Sequence, residues 1–375
     1  MDKFIDVLNC VAAYPDFLAR VTMSQMFRFI RQAALVKDDI ILSLGAYESA
    51  HVWDAFILLS LLRFHEEQGS TLRVPHDGLQ RDRFSAAVRF RNAFYRVNGL
   101  PNHSHYCSRC VRIFANPDGS IERTSCVVVD GVTLGHPCCS EPNCLNELVK
   151  QKDRRVCAQA SHISAEKLYD LRKTARFQIV NSLEQTRLAH ARQGAANIIL
   201  RAQFGRKRTH NEQVIVAPCG VIIARATFYH AESVSSVAEF IRRTYAGCSY
   251  RPNHVIFDNN CHLRRHVDTL GDSFWDDIGL TVDVFHFTSK HKASDVYCQE
   301  HCNPAKFEEL QKEGGWFFNT SIAEQTNVWL ANYHSMLREM RVDRYNFFLD
   351  EMIVLKNVAQ LEKLQKEGLF VGTWA

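Results

Sequence analysis

Two short apolar segments, each typical of a buried β-strand, are followed directly by an aspartate. The first covers residues 126–129 and precedes Asp130, and the second covers residues 254–257 and precedes Asp258. Their shortness and their content of Val, Ile and Phe favour strands over helices. A chain with acids at the ends of two such strands is expected to fold around a mixed α/β sheet, with carboxylates at the strand ends.

A third acid, Glu324, lies in a segment with the pattern of a helix. Two carboxylates on strand ends and one on a helix can hold two divalent cations, because Mg²⁺ and Mn²⁺ prefer oxygen ligands. Such a pair of ions can clamp a phosphodiester during in-line displacement. The sequence therefore predicts Asp130, Asp258 and Glu324 as catalytic residues, although a lone aspartate after a strand usually caps a turn and any one of the three taken alone is weak evidence. The rival acids are Glu232, Asp277, Asp283 and Asp295.

The order of predicted elements from Asp130 onward is strand, insertion, strand, strand, helix, strand, helix, strand and helix. Without the insertion, this is the order of a ribonuclease-H-like domain. The predicted strands after the insertion cover residues 213–218, 221–229, 254–258 and 281–287, and the predicted helices cover 233–245, 322–340 and a stretch to about 364.

These patterns divide the chain into five predicted regions. They are a helical N-terminal region (1–102), a zinc-binding Cys/His cluster that includes the first core strand (103–163), a basic helical segment (164–212), a ribonuclease-H-like catalytic core (213–345) and a C-terminal helix (346–375).

The chain contains 13 cysteines, a high number that in a reducing compartment indicates metal ligands rather than disulfides. A Cys-x2-Cys pair suits one tetrahedral ion gripped from a tight turn. The first predicted zinc ligands are Cys107, Cys110, His136, Cys138, Cys139, Cys144, Cys157 and His162, with His103 and His105 as further candidates. The number of ions and the exact ligands stay open, and the alternative is a set of buried free cysteines.

A second group of soft and borderline ligands follows the strand predicted at 281–287. It comprises His286, His291, Cys298 and Cys302, with His301 nearby. Four such ligands within a short stretch favour another zinc site. The alternative is a polar loop with incidental histidines.

The net charge of +4 conceals a basic middle segment, because residues 150–208 contain 14 basic and 4 acidic side chains. Such a segment predicts a polyanionic partner, and Arg206, Lys207 and Arg208 are the predicted nucleic-acid contacts. The same three residues form a weak nuclear-import-like cluster. The alternative is a solvated helix face. The longest apolar stretch, residues 55–62, is too short to span a membrane, so no membrane partner is expected.

Several short motifs follow one another between about residue 50 and residue 350, at 56–62, 74–76, 89–92, 105–110, 129–139, 257–261, 285–298 and 319–327. In this order they resemble one family, the KDZ (Kyakuja-Dileera-Zisupton) group of eukaryotic DNA transposases. The similarity is closer to fungal proteins that carry the cysteine cluster associated with those transposases.

The resemblance implies a ribonuclease-H-like transposase core that cleaves and transfers DNA strands, in the nucleus and as a homo-oligomer. It assigns Asp130, Asp258 and Glu324 to an Asp-Asp-Glu triad with Mg²⁺ or Mn²⁺. It also implies structural Zn²⁺ on Cys107, Cys110, Cys138, Cys144, Cys157 and His162, and a further cluster of His286, His291 and Cys298.

Two other functions are consistent with the same residues. The first is a catalytically inactive, domesticated or decayed zinc-containing DNA-binding protein, which keeps the basic segment and the zinc sites and loses metal-dependent cutting. The second is a non-transposon nuclease with the same core, which would not produce strand-transfer products.

Overall fold

The computed structural model describes residues 49–75, 77, 79, 82–115, 118–134, 144, 157, 159–162, 211–228, 232–337 and 340–374. The predicted basic helical segment lies outside these ranges apart from residues 211 and 212, and so do the first 48 residues of the chain.

The described residues form nine α-helices and ten β-strands. The helices are α1 (Ser49–Glu67), α2 (Ser85–Asn98), α3 (Val234–Thr244), α4 (Asn260–Leu270), α5 (Val284–Lys290), α6 (Val296–His301), α7 (Ile322–Ala331), α8 (His334–Leu337) and α9 (Val342–Lys366). The strands are β1 (His105–Cys107), β2 (Val111–Ala115), β3 (Ile121–Val132), β4 (Asn211–Val216), β5 (Ile222–Phe228), β6 (His254–Phe257), β7 (Gly279–Thr281), β8 (Gln311–Lys312), β9 (Gly315–Trp316) and β10 (Val371–Thr373).

The strand predicted over residues 281–287 is wrong in its second half. Strand β7 ends at Thr281, and helix α5 begins at Val284. The reason is a side-chain cap, because Asp283 accepts hydrogen bonds from the main-chain nitrogens of Phe285 and His286. An aspartate that satisfies the free N–H groups of a first turn starts a helix even where the apolar pattern suits a strand.

The largest sheet has the strand order β5–β4–β3–β6–β7, and β2 also pairs with β3. Strand β4 runs antiparallel to both of its neighbours, β3 and β5, whereas β6 runs parallel to β3, and β7 runs parallel to β6. This sheet confirms the predicted mixed α/β fold class. Because β3 and β6 are parallel, their C-terminal ends lie at the same edge of the sheet.

Alternate side chains of β3 enter two different apolar layers, as the two-residue period of a strand requires. Val128 packs in a core shared mainly with α1, α2, α7 and α9. Val127 and Val129 pack in a second core shared mainly with α3 and α4. The sheet is therefore covered on both faces, which explains why its central strands read as continuous apolar runs.

The long helix α9 is fastened to the sheet by buried polar groups. The side-chain amide of Asn357 accepts from the main-chain nitrogen of Ile222 and donates to its oxygen, both at 2.8 Å. Nearby, Arg225 donates to Asp350 at 2.7 Å and lies 3.3 Å from Glu212. No helix in the described ranges, α9 included, is long and apolar enough to cross a membrane.

A buried ion pair joins α2 to α9. The guanidinium of Arg91 donates to Glu351, and it lies over the rings of Tyr95 and Phe347 at 4.8 and 4.6 Å from their centroids. Arg91 is 1% exposed, so its removal leaves the Glu351 carboxylate buried beside only Arg63, 3.6 Å away. A buried charge that loses its main partner is strongly destabilising.

We expect Arg91→Ala to lower the free energy of unfolding by about 3–5 kcal/mol, the range for breaking a buried pair from one side. Urea-induced unfolding followed by circular dichroism measures the change. The matched control is Arg89→Ala on the exposed side of the same helix, which should shift stability by less than about 0.5 kcal/mol. Equal effects of the two substitutions would contradict the assigned role of Arg91.

Candidate functional site

The shared edge of β3 and β6 places Asp130 and Asp258 on neighbouring strands. Val129 pairs with Phe257 in parallel register, so the two aspartates that follow occupy equivalent positions. Adjacent strands lie about 4.8 Å apart. Asp130 has the strand parity of Val128 and therefore faces the layer that contains α7, whereas Asp258 lies in the turn directly after β6.

Helix α7 is joined to this edge by a hydrogen bond. Asn327 donates to Asp130 Oδ2 at 2.8 Å, while Asp130 Oδ1 accepts from the main-chain nitrogen of Gly131 at 2.8 Å. Glu324 precedes Asn327 by three residues, so the two side chains lie on one face of α7. The bond to Asp130 therefore turns the face that carries Glu324 toward the strand ends.

A compact group of Asp258, His286 and Glu324 forms the open part of the site. Their potential ligand atoms all lie within 4.8 Å of one another. His286 Nδ1 lies 2.7 Å from Asp258 Oδ1, and Nε2 lies 3.1 Å from Glu324 Oε1. Despite this closeness, the buried Nδ1 makes no hydrogen bond. His286 thus lies between two of the predicted catalytic acids, Asp258 and Glu324.

The environment disfavours the charged forms of the two aspartates. Burial, together with the charges of Asp258 and Glu232, raises the pKa of Asp130 from 3.8 to about 6, against the opposing hydrogen bonds from Gly131 and Asn327. Burial also raises the pKa of Asp258, although the nearby His286 and Lys290 oppose this shift. A cluster of acids that resists ionisation is typical of a cation site or a catalytic site.

Close packing around Gly131 holds a fourth acid near the edge. A Cβ atom at this position would lie 2.2 Å from the Gln213 amide nitrogen and 2.4 Å from that of Asn211. Those two amides donate to Glu232 at 2.6 and 3.1 Å. Gly131 therefore makes room for the side chains that position Glu232, one of the rival acids.

A thiol and imidazole group lies directly behind Asp258. Potential ligand atoms of Cys261, His291 and Cys298 lie within 4.8 Å of one another, with His291 Nδ1 at 3.1 Å from Cys298 Sγ. The other ring nitrogen of His291 donates to the main-chain oxygen of Asp258 at 3.1 Å. Cys302 is buried in the same apolar cluster as Cys261 and Cys298. This group can bind zinc, and it contacts the backbone of a predicted catalytic residue.

Two further Cys/His groups lie elsewhere in the described ranges. One contains Cys144, Cys157 and His162, with Cys157 Sγ at 3.8 Å from Cys144 Sγ and 3.2 Å from His162 Nδ1. The other consists of His105, Cys107, Cys110 and Cys219, and all four residues are buried. Both groups have the composition of zinc sites.

The predicted zinc ligands are divided among these groups. Cys107 and Cys110 lie apart from the group of Cys144, Cys157 and His162, and His286 lies with the acids rather than with His291 and Cys298. The remaining predicted site residues lie outside the described residues; they are His136, Cys138, Cys139, Arg206, Lys207 and Arg208.

Sequence spacing did not reveal Cys219 or Cys261 as potential ligands. Cys219 lies in the turn between two predicted strands, far along the chain from Cys107 and Cys110. Cys261 lies shortly after Asp258, at the start of α4. A single cysteine there does not form the spacing pattern that indicates a metal site. The sequence indicated His105 as a further candidate zinc ligand but did not assign it to a particular site.

Residues 128–168 match the protein family described as a CxC6-like cysteine cluster associated with KDZ transposases. The matched range contains Asp130 and the group of Cys144, Cys157 and His162. The match confirms the resemblance to KDZ transposases and supports a transposase-related protein; the fungal type stays a prediction. No similar protein was found among curated sequences or among solved structures.

The raised pKa of Asp130 predicts that this residue destabilises the fold at neutral pH. The folded state keeps the proton up to about pH 6, whereas the unfolded chain releases it near the ordinary value of 3.8. The free energy of unfolding should therefore fall as the pH rises between these values, by at most about 3 kcal/mol. Asn327 Oδ1 has no hydrogen-bond partner. After a half-turn of the Asn327 side-chain amide, this oxygen can accept a hydrogen bond from the amide of an asparagine at position 130.

We therefore expect Asp130→Asn to unfold at higher urea concentration than the wild type at pH 7.5, in buffer without Mg²⁺ or Mn²⁺. The gain should be about 1–3 kcal/mol and should shrink toward pH 4. Asp277→Asn, a change at an exposed position, serves as the control. A less stable Asp130→Asn variant at pH 7.5 would overturn the account of this site.

Proposed function

We propose that the chain is a transposase or transposase-derived protein that cleaves and transfers DNA strands with Asp130, Asp258 and Glu324. The observation that carries this proposal is the parallel pairing of β3 with β6, which sets two aspartates on adjacent strand ends beside α7. Convergence of three carboxylates is the requirement of two-metal phosphodiester chemistry.

The topology of the sheet gives independent support for a ribonuclease-H-like core. Three antiparallel strands are followed by two strands parallel to the first, in the order β5–β4–β3–β6–β7. Helix α3 follows the third of these strands and α4 follows the fourth. In domains of this type, acids on the first strand, after the fourth strand and on a later helix meet at one edge. The same positions here belong to Asp130, Asp258 and Glu324.

The chemistry of the donor set fits Mg²⁺ or Mn²⁺. Carboxylate oxygens are the preferred ligands of these ions, and none of the interactions described for Asp130 involves a basic side chain. His286 adds a nitrogen donor beside these carboxylates, since its Nδ1 lies 2.7 Å from Asp258 Oδ1. When bound, a pair of such ions activates the attacking oxygen and stabilises the leaving oxygen of a phosphodiester.

The protein's own residues prepare this site before any ion binds. Asn327 fixes the rotation of Asp130 and also the face of α7 that carries Glu324. His291 holds the backbone of Asp258 through the main-chain oxygen. His286 lies between Asp258 and Glu324 and is a further ligand candidate. We assign structural zinc to the groups of Cys261, His291 and Cys298 and of Cys144, Cys157 and His162.

The proposed activity is tested by Mn²⁺- or Mg²⁺-dependent nicking of supercoiled plasmid DNA. Since bound metal ions contribute several kcal/mol to the transition state, Asp258→Asn should lower the nicking rate by at least about 100-fold. The change in charge leaves the size of the side chain unchanged, so zinc content and circular dichroism should match the wild type.

The control for this assay is Asp277→Asn, which should nick at the wild-type rate. Nicking that survives in Asp258→Asn would refute the assigned triad. A wild-type protein that binds DNA but never nicks it with either ion would favour the inactive zinc-containing DNA-binding protein. Nicking without strand-transfer products would favour a nuclease with the same core.

A basic cleft beside α7 supports contact with the DNA backbone. The cleft has a volume of about 660 Å³, and its basic lining residues are Arg109, Lys312, Lys356 and Lys363. Gln325 and Thr326 of α7, the two residues after Glu324, also line it. Basic side chains in such a cleft can neutralise phosphates without reading the base sequence.

We expect the double variant Lys312→Ala/Lys363→Ala to bind duplex DNA more weakly. The slope of log affinity against log salt should decrease by about 0.9 for each lost phosphate contact. Fluorescence anisotropy with a labelled duplex over a range of KCl concentrations measures both quantities. Lys366→Ala is the matched control, because Lys366 is exposed on α9 but does not line the cleft. An unchanged salt slope in the double variant would exclude the cleft as a DNA contact.

Nuclear localisation and assembly into a homo-oligomer complete the proposal, and they rest on the resemblance to KDZ transposases. Arg206, Lys207 and Arg208, which lie outside the described residues, stay proposed DNA contacts.

A further inference from the structure

Four buried side chains from two distant parts of the chain lie close together. His105, Cys107 and Cys110 come from β1 and the turn that follows it, and Cys219 comes from the turn between β4 and β5. His105 Nε2 lies 3.2 Å from Cys219 Sγ and 3.9 Å from Cys110 Sγ, and the two sulfur atoms of Cys107 and Cys110 are 3.4 Å apart. None of the four is more than 5% exposed.

These separations suit a tetrahedral zinc ion. Zn–S bonds of about 2.3 Å and Zn–N bonds of about 2.0 Å place neighbouring ligand atoms about 3.5–3.8 Å apart around one ion. Three sulfurs and one imidazole nitrogen also complete the four-coordinate shell of a structural site, with no position left for water. Without a metal, three thiols and an imidazole would be buried together with only weak hydrogen bonds to one another.

We propose that His105, Cys107, Cys110 and Cys219 bind a structural zinc ion that fastens the β4–β5 turn to β1. This site is separate from the matched cysteine cluster, because all four ligands lie outside residues 128–168. None of the ligands contacts Asp130, Asp258 or Glu324 in the described interactions, although Cys219 and Arg109 also line the basic cleft.

The contacts around the site define what the ion would hold together. The main-chain oxygen of Cys219 accepts from Gln360 of α9 at 2.6 Å. Strand β1 pairs with β10, where Cys107 lies opposite Val371, and Ser108 donates to the main-chain oxygen of Phe370. The ion would therefore join the β4–β5 turn of the core sheet to the short sheet that contains β10.

The test begins with the zinc content of the purified protein, measured by inductively coupled plasma mass spectrometry. Cys219→Ser should contain about one zinc ion per chain fewer than the wild type. Cys248→Ser, a change at a half-exposed cysteine outside all the Cys/His groups, should contain as much zinc as the wild type. Cys219→His replaces one zinc ligand with another and should retain the ion.

Hydrogen–deuterium exchange then tests the role of the ion. In Cys219→Ser, amide exchange should increase together in residues 104–110, 217–221 and 369–373, while exchange in β3 and β6 stays at the wild-type level. If Cys219→Ser does not fold, Cys107→Ser replaces it in the zinc measurement, and the zinc that a mercurial reagent releases is measured with a chromophoric chelator. Cys107→Ser should release about one ion fewer than the wild type, whereas Cys219→His should release as many as the wild type. Equal release from Cys107→Ser and the wild type would overturn the proposal.

Two outcomes would overturn the proposal. The first is equal zinc content in Cys219→Ser, Cys248→Ser and the wild type. The second is a Cys107–Cys110 disulfide in the freshly purified protein, detected by mass spectrometry without reduction. Neither outcome would bear on the nicking assay, so failure of this zinc site and failure of the proposed DNA chemistry are distinguishable.

Discussion

The parallel pairing of β3 with β6 is the constraint on which the rest of the site depends. It joins two strands that are far apart in the sequence, and it sets the aspartates that follow Val129 and Phe257 on equivalent positions. The register is fixed by packing on both faces, because a shift of one residue would exchange the two apolar layers that Val128 and Val129 enter. The position of the acids is therefore a result of how the core packs.

Much of this framework can be predicted from local sequence. The runs before Asp130 and Asp258 are short and apolar, and the segment at 233–245 has a clear helical period, so each yields the expected element. Local patterns fail where a single side chain determines which secondary-structure element forms. Asp283 starts α5 inside a predicted strand by capping its first turn, and a hydrogen bond of this kind leaves no periodic signal.

Contacts between residues that are far apart in the sequence could not be predicted from local patterns either. Cys219 is a lone cysteine in a hairpin turn, and only the folded sheet brings it to His105. His286 appears in the sequence as one of a run of zinc ligands, yet the start of α5 directs it toward Asp258 and Glu324. Spacing identifies ligands that share one turn, whereas ligands supplied by separate elements become evident only when the topology is known.

Gly131 has a consequence for comparing copies of such a sequence. It carries no functional group, yet a single methyl group at this position would collide with the amides of Gln213 and Asn211 that orient Glu232. A copy that keeps Asp130, Asp258 and Glu324 but replaces this glycine would have to move both amides away from Glu232. A comparison of the three acids alone therefore misses a change at the same strand end, and residue 131 is the position that reports it.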